Sequence, residues 1–203
     1  MERLTIQVGS YEVNCSILSD EGRAWIVDPG QEGERILEIL AKKGLEPAGV
    51  LLTHAHFDHI SGIPPLQKAF PELPVYVHPG DTPMFGHPFN QSWGEYESIG
   101  TPANIRNVAD LPSALPAVTA IHTPGHTPGG VCFYFKDDKL LLSGDTLFAG
   151  SVGRTDFPGG SMGTLMESLK KLTALPGDTL VIPGHGPHTT IAAEKRSNPY
   201  IND

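Results

Sequence analysis

Three histidines and one aspartate lie within six consecutive residues, in the stretch THAHFDH at positions 53–59. A short apolar run directly before this stretch predicts a strand that ends where the histidines begin. In an extended segment, residues two apart point to the same side, so His54 and His56 can bind one metal ion. Asp58 and His59 follow the turn into the next element and can bind a second ion. A solvated polar loop with chance histidines is the alternative, and the density of ligands disfavours it.

The composition is that of an ordinary soluble protein, with 203 residues of which 39% are hydrophobic and 18% are charged. At this length one domain with a substantial core is the default, so we expect a single domain over residues 1–203. The net charge of −9 disfavours a nucleic-acid partner. Because no apolar run has the length of a membrane span and no signal-peptide pattern is present, we expect a cytoplasmic protein without a membrane partner.

The chain contains two cysteines, Cys15 and Cys132, each inside a strand-like segment. This placement predicts two reduced, buried thiols. A disulfide framework and a thiolate metal site are the disfavoured alternatives.

Strand and helix patterns alternate in two stretches, and each stretch begins with strands. Two packed sheets with helices outside fit this order, whereas a doubly wound parallel sheet is disfavoured because no Gly-rich phosphate loop follows the first strand. Residues 79–116 show no sustained period, and they are open to interpretation as a wall of the substrate pocket or as a loop over the core. The predicted strands are 4–8, 13–18, 24–28, 45–52, 75–77, 117–122, 131–135, 139–143 and 179–182. The predicted helices are 32–43, 60–70, one that Thr164 and Glu167 begin as a capping box, and 191–195.

Three further strand ends carry candidate ligands, each beside glycine or proline residues that fix a loop: His126, Asp145 and His185. Together with the first stretch they make five histidines and two aspartates, enough for two ions of four or five ligands if one carboxylate bridges. Imidazole and carboxylate without thiolate suit Zn, Fe or Mn. We expect the remaining histidines not to be ligands; they are His78, His87, His122 and His188.

Four motifs together resemble the metallo-β-lactamase superfamily, and within it the glyoxalase II-like hydrolases: Thr-His-x-His-x-Asp-His, Thr-Pro-Gly-His-Thr-Pro-Gly, Gly-Asp-Thr-Leu-Phe and Pro-Gly-His-Gly. The resemblance spans about the whole chain in matching order. It implies an α+β fold, the four-layer αββα sandwich, with the site at one edge of the two sheets. It also implies a ligand set, in which the first metal is bound by His54, His56 and His126, the second by Asp58, His59 and His185, and both by a bridging Asp145.

Two metal ions held side by side imply a hydrolase. Two cations lower the pKa of a shared water towards neutrality, so a metal-bound hydroxide is available to attack a thioester or ester carbonyl. One ion would stabilise the oxyanion and the other the leaving thiolate. We therefore predict a thioesterase that cleaves a small hydroxyacylglutathione-like substrate with two divalent ions, Zn before Fe or Mn, in which Asp58 and Asp145 are the catalytic aspartates. The role of Asp28 is left open: it either supports a metal ligand or caps the following turn.

Arg154 is the candidate substrate-binding residue, because its planar guanidinium can pair with a substrate carboxylate. The corresponding position of glyoxalase II resembles it in being basic and in contacting glutathione. An ion pair with Asp156 is the alternative. Two departures weaken the prediction of glutathione specificity. The chain lacks the helical C-terminal glutathione-binding domain of full-length glyoxalase II, and Asp156 stands near the place of the family's tyrosine.

Other functions compete with the thioesterase. Residues 153–157 also resemble the iron-dependent persulfide dioxygenases of the same superfamily, although the Pro-Gly-His-Gly motif differs from the form associated with them. A β-lactamase is disfavoured because Asp145 stands where the common classes have a zinc thiolate ligand. The net charge disfavours a ribonuclease, and the intact ligand set disfavours a metal-binding scaffold without turnover. The acyl group, the thiol carrier and the oligomeric state are left open.

Overall fold

The structure is a computed structural model of the chain, and it describes residues 1–91, 93, 99–115 and 117–201. The chain divides into two compact units, Met1–Pro116 and Ala117–Asp203. Each unit contains a mixed β-sheet with helices, as the α+β prediction requires. The organisation as a single domain stays a prediction. Within the described part of the chain, no helix is both long and apolar enough to cross a membrane.

The first unit contains a six-stranded sheet whose strands follow the order of the chain. The first three strands pair in antiparallel fashion, and the next three are added in parallel. The sequence analysis missed the last of them, which lies in the 79–116 segment. The strands are β1 (Glu2–Val8), β2 (Val13–Asp20), β3 (Arg23–Val27), β4 (Glu46–Leu51), β5 (Val75–Val77) and β6 (Ile105–Asn107).

The helices of the first unit are α1 (Gly33–Lys43), α2 (Phe57–Ile60) and α3 (Ile63–Ala69). Helix α1 buries Ile36 and Leu40 in the core and ends at Gly44, which takes the left-handed conformation that glycine permits (φ 65°). Short 3-10 helices lie at Pro79–Met84, Pro88–Gln91 and Val108–Asp110.

The helix predicted over 60–70 differs from the structure at its start. The helical segment begins at Phe57 and breaks after Ile60, so that Asp58 and His59 lie on α2 and not in a turn. Pro64 stands in the first turn of α3, where its missing N–H costs nothing. A proline at this place favours a new helix start over one continuous helix from Phe57.

The second unit contains a five-stranded sheet in the order β13-β12-β9-β8-β7, in which β12 and β9 are parallel and the other neighbours are antiparallel. A separate two-stranded ribbon joins β10 to β11. The elements are β7 (Val118–His122), β8 (Val131–Phe135), β9 (Leu140–Gly144), β10 (Leu147–Phe148), β11 (Ser151–Val152), α4 (Met162–Thr173), β12 (Leu180–Pro183), β13 (Thr189–Thr190) and α5 (Ile191–Ser197).

The predicted start of helix α4 is wrong. Its N-cap is Ser161, whose hydroxyl accepts a hydrogen bond from the backbone N–H of Thr164 at 3.3 Å. Glu167 forms an ion pair with Lys170 at 2.6 Å instead of closing a capping box. Serine and threonine are both favoured N-caps. The three-residue spacing from Thr164 to Glu167 resembles a capping box, and it led to the wrong N-cap. The buried face of α4 contains Leu165, Leu169 and Leu172.

Both cysteines are free and buried, as predicted, with no exposed surface. Burial raises the pKa of Cys15 well above its usual range, and the charge of Asp28 raises it further. Since only the thiolate is nucleophilic, we expect neither thiol of the native protein to react with an aromatic disulfide reagent at about pH 8. Both should react after denaturation, which absorbance measures directly. Rapid labelling of either cysteine in the folded protein would contradict the structure.

Candidate metal-ligand groups

In the first unit, the four predicted ligands follow the end of β4 and continue into α2. All four side chains, His54, His56, Asp58 and His59, are buried. The ring of His54 lies with its centroid 4.7 Å from that of His56 and 4.0 Å from that of His59. Ligand atoms of the pairs His54–His56 and Asp58–His59 lie within 4.8 Å of each other. The structure therefore brings these four residues together, as the sequence predicted.

Asp28 lies behind this group, at the end of β3. Its carboxylate accepts hydrogen bonds from the backbone N–H of Thr53 at 2.8 Å and from the Thr53 hydroxyl at 2.7 Å. It also lies 3.1 Å from Nδ1 of His59. Of the two roles that the sequence left open, the structure therefore shows contact with a candidate ligand.

One of these contacts determines which ring nitrogen of His54 carries the hydrogen. The Thr53 hydroxyl donates to Asp28, so it accepts from Nδ1 of His54, which lies 3.1 Å away. In the neutral ring of His54, Nε2 is therefore the acceptor nitrogen, the one that can bind a metal. Nε2 of His59 lies 3.8 Å from Asp58 Oδ2.

In the second unit, the three predicted ligands follow the ends of β7, β9 and β12. Because β9 and β12 are parallel and adjacent, Asp145 and His185 leave the sheet at the same edge, where the N–H of Gly184 donates to the carbonyl of Gly144 at 2.8 Å. Asp145 Oδ2 lies 3.5 Å from Nε2 of His185 and 3.6 Å from Nε2 of His126. The structure brings all three residues together.

These separations suit metal ligands better than hydrogen-bond partners. Two atoms bound tetrahedrally to one ion at about 2.0–2.1 Å lie about 3.3 Å apart, whereas ordinary N–H···O bonds are about 2.7–3.2 Å long. The ring of His126 is oriented from behind, because its Nδ1 lies 2.7 Å from the backbone carbonyl of Arg154. A carbonyl only accepts, so Nε2 of His126 keeps its lone pair on the side of Asp145. The donor types and spacing therefore fit a divalent metal.

Gly153 allows the chain to pass closely behind these ligands. A Cβ atom at this position would lie 1.7 Å from the backbone oxygen of Asp145 and 3.2 Å from Nδ1 of His126. Any side chain at position 153 would push the backbone away from Asp145. It would also displace the neighbouring Arg154, whose carbonyl orients His126. The sequence analysis read this segment for Arg154 alone and missed Gly153.

The guanidinium of Arg154 forms two hydrogen bonds to the carboxylate of Asp156, from Nε at 2.7 Å and from Nη2 at 2.6 Å. It also lies 3.9 Å from the centre of the Phe157 ring. Both charged side chains are more than half exposed. The Arg154 hydrogen bond lowers the pKa of Asp156 to about 2, so this carboxylate is charged at every working pH. The ion pair that the sequence offered as the alternative role of Arg154 is therefore present.

Three of the four histidines that we expected not to be ligands contact the backbone of turns. Nδ1 of His78 accepts from the N–H of Gly80, and Nδ1 of His87 accepts from that of Phe89, both at 3.1 Å. Nε2 of His122 lies 3.1 Å from the carbonyl of Pro128. The fourth, His188, is exposed. That none of them binds metal stays a prediction.

The sequence analysis missed two buried polar residues beside the histidine stretch, Asp81 and Asn90, which hydrogen-bond its backbone. Both come from the 79–116 segment, of which residues 92, 94–98 and 116 lie outside the described part. An isolated aspartate or asparagine among glycines and prolines is typical of any turn, so the sequence held no specific signal for this contact.

Relatives of known name cover nearly the whole chain. Probable metallo-hydrolase YqgX of Bacillus subtilis is 38% identical over 201 residues, which make up 96% of this chain and 95% of the relative. Hydroxyacylglutathione hydrolase GloC of Haemophilus influenzae is 33% identical over 222 residues, with 97% and 96% covered. The chain is therefore similar in its full extent to metallo-hydrolases.

Solved structures agree on the fold. The crystal structure of BLEG-1, a B3 metallo-β-lactamase, is 35% identical with a TM-score of 0.90, and all of both chains is covered. TTHA1623 in a di-iron-bound form is 40% identical with a TM-score of 0.86, covering 97% of this chain and 99% of its own. ETHE1 from Myxococcus xanthus is 26% identical with a TM-score of 0.77, covering 98% and 84%. The predicted fold class, the αββα sandwich of this superfamily, is confirmed.

A sequence model of the metallo-β-lactamase superfamily matches residues 8–185, a span that includes every candidate ligand of both groups. The superfamily predicted from four short motifs is thereby confirmed, and with it a metal-dependent hydrolase. The chain belongs to the metallo-β-lactamase superfamily.

Proposed function

We propose that this metallo-hydrolase is a binuclear thioesterase that cleaves a small thioester of the hydroxyacylglutathione type. The observation that carries the proposal is the state of the imidazoles in both ligand groups. In His54 and His126, Nδ1 donates to a hydroxyl or a carbonyl, and Nε2 of the neutral ring is left as a metal ligand. The similarity to GloC supports the choice of substrate.

The proposed metal ligands are those that the family resemblance implies. His54, His56 and His126 bind the first ion, and Asp58, His59 and His185 bind the second. Asp145 bridges both, and its Oδ2 faces two imidazole nitrogens in the second unit. This assignment is supported by family membership and donor chemistry. We propose Zn, with Fe or Mn as alternatives, and the di-iron form of TTHA1623 supports iron.

Two bound divalent ions supply water activation near neutral pH and electrostatic stabilisation of the developing oxyanion. The residues of the chain prepare the ligands for this chemistry. Thr53 accepts the Nδ1 hydrogen of His54 and the Arg154 carbonyl accepts that of His126, so both rings are oriented with Nε2 as the atom that would bind metal. The aspartates Asp58 and Asp145 contribute the negative charge that offsets the charge of the ions.

The proposed partner is a small molecule, and the net charge of −9 supports the absence of nucleic acid. We also propose a cytoplasmic location without a membrane partner, and two free cysteines fit a reducing compartment. A second candidate is the iron-dependent persulfide dioxygenase. It is supported by the likeness to ETHE1 and by the sequence of residues 153–157. In that reaction a single iron would use a histidine of the first stretch together with His126 and Asp145.

The test of function compares three substrates on the metal-loaded protein. We expect thiol release from S-D-lactoylglutathione, and we expect Asp145→Ala to lower its rate by more than about a hundredfold because a metal ligand is lost. Asp137→Ala removes an exposed aspartate in the turn between β8 and β9 and is the matched control, which should keep full activity. Oxygen uptake on glutathione persulfide without thiol release would support the dioxygenase instead. Nitrocefin hydrolysis without thiol release would support a β-lactamase.

We further propose that Arg154 binds the carboxylate of the substrate in place of the Asp156 carboxylate. Because both side chains are exposed, the ion pair contributes little and is readily replaced. The exchange keeps the planar two-point geometry that the guanidinium already makes. Asp156 would then compete with every anionic substrate.

This proposal predicts opposite effects of two variants on KM. Asp156→Asn should lower the KM for S-D-lactoylglutathione by up to about fivefold, the range for an exposed ion pair, while Arg154→Ala should raise it. An uncharged thioester, S-acetyl-N-acetylcysteamine, is the control substrate, and its KM should not change in either variant. Equal shifts for both substrates, or no shift in Arg154→Ala, would show that Arg154 does not bind a carboxylate.

A further inference from the structure

We infer that Asp81 and Asn90 are positioning residues that hold the backbone of the histidine stretch in its metal-binding conformation before any metal arrives. The inference gives a role to the part of the 79–116 segment that precedes residue 92, and it rests on the proposed ligands His54 and His56. It concerns contacts within the first unit alone.

Asn90 uses its whole amide for this purpose. Its Oδ1 accepts from the N–H of Phe57 at 3.1 Å, and its Nδ2 donates to the carbonyls of Ala55 at 2.8 Å and Met84 at 2.9 Å. The side chain is 4% exposed. The third bond ties the histidine stretch to the 3-10 helix that contains Met84, whose side chain is part of the core.

Asp81 completes the set from the same 3-10 helix. Its Oδ2 accepts from the N–H of Ala55 at 3.1 Å, and its side chain is fully buried. The N–H and the carbonyl of Ala55 are therefore both bonded by side chains of one segment. That segment also places the Phe89 ring 5.3 Å from the ring of His56.

The position of these bonds within the stretch is what links them to metal binding. The three bonded groups belong to three consecutive peptide units, which join residues 54 to 55, 55 to 56 and 56 to 57. Fixing these units fixes both backbone dihedral angles of Ala55 and of His56, and so the direction in which the His56 side chain leaves the backbone relative to the Cα atom of His54. The hydrogen bonds of the sheet do not fix these three peptide units. The bond from the N–H of Leu52 to the carbonyl of Tyr76 comes before the histidines in the chain.

A loop fixed during folding loses little conformational freedom when it binds an ion, so the affinity for the metal rises. The ordinary alternative is that Asp81 and Asn90 only satisfy buried backbone groups and so stabilise the fold. The two roles differ in what a substitution changes: the positioning role affects metal affinity and ligand geometry beyond the loss of stability.

The first measurement needs no variant. After removal of metal with a chelator, hydrogen exchange followed by NMR should show the amides of Ala55 and Phe57 protected to a similar degree as the sheet amide of Leu52. Exchange at the rate of an exposed loop, with protection only after metal is added, would overturn the inference, because the stretch would then be ordered by the metal itself.

The second measurement compares variants. Asn90→Ala and Asp81→Ala should lower the Zn affinity, measured by competition with a chromophoric chelator, by about tenfold or more. They should also change the visible spectrum of the Co-substituted protein, which reports ligand geometry. Asp81→Asn keeps an oxygen that can accept from Ala55 and should restore both readouts.

The matched control is Gln67→Ala, in the same unit. The Gln67 amide forms three hydrogen bonds to backbone groups of Leu73 and Ala103, and none of these groups lies in the histidine stretch. This variant should lower the melting temperature comparably and leave Zn affinity and the Co spectrum unchanged. If Asn90→Ala and Asp81→Ala gave the same result as Gln67→Ala, the positioning role would be wrong.

The outcomes separate this inference from the proposed function. If Asn90→Ala does not fold, the pair Asp81→Ala and Asp81→Asn decides together with hydrogen exchange. A protein that binds Zn with these dependences but releases no thiol from any thioester would refute the thioesterase and leave the positioning role intact. A thioesterase whose Zn affinity is the same in all variants would do the reverse.

Discussion

The proposed metal site depends on the hydrogen bonds that the Nδ1 atoms of its histidines donate. A neutral imidazole has one donor and one acceptor nitrogen, and only the acceptor can bind a metal. Thr53 and the Arg154 carbonyl accept from Nδ1 of His54 and His126, which makes Nε2 the acceptor nitrogen of each neutral ring and the proposed ligand. Loss of one of these acceptors would free a ring to rotate or to change tautomer. Gly153 is needed for the same reason. Without a side chain it passes close to the backbone of Asp145, so that the Arg154 carbonyl reaches Nδ1 of His126.

The residues that the sequence reveals are those proposed to bind an ion directly. Histidines at alternate positions after an apolar run are informative because the strand period alone places them side by side. The parallel pairing of β9 and β12 then explains why Asp145 and His185, separated by a helix in the sequence, meet at one sheet edge. The first relation follows from local periodicity alone, whereas the second was implied by the family resemblance and not by the strand pattern.

The support from Asp81 and Asn90 was not visible in the sequence, and the role of Asp28 was left open, for an equally physical reason. Asp28, Asp81 and Asn90 reach the stretch from about 25 to 35 positions away, and the required register depends on how loops settle on the core. Their types are also those of ordinary turns. The start of α4 shows the same limit on a smaller scale, since the sequence analysis placed the cap at Thr164 and the structure has it three positions earlier, at Ser161.

The chain thus combines a ligand set shared by its superfamily with supports contributed by its own loops, and the central claim is that this set holds two ions. The most direct test is elemental analysis of the purified protein after exhaustive dialysis, with the metal-to-chain ratio measured for Zn, Fe and Mn together. The account predicts two tightly bound divalent ions per chain. A ratio of one, or of none after reconstitution with excess metal, would contradict it.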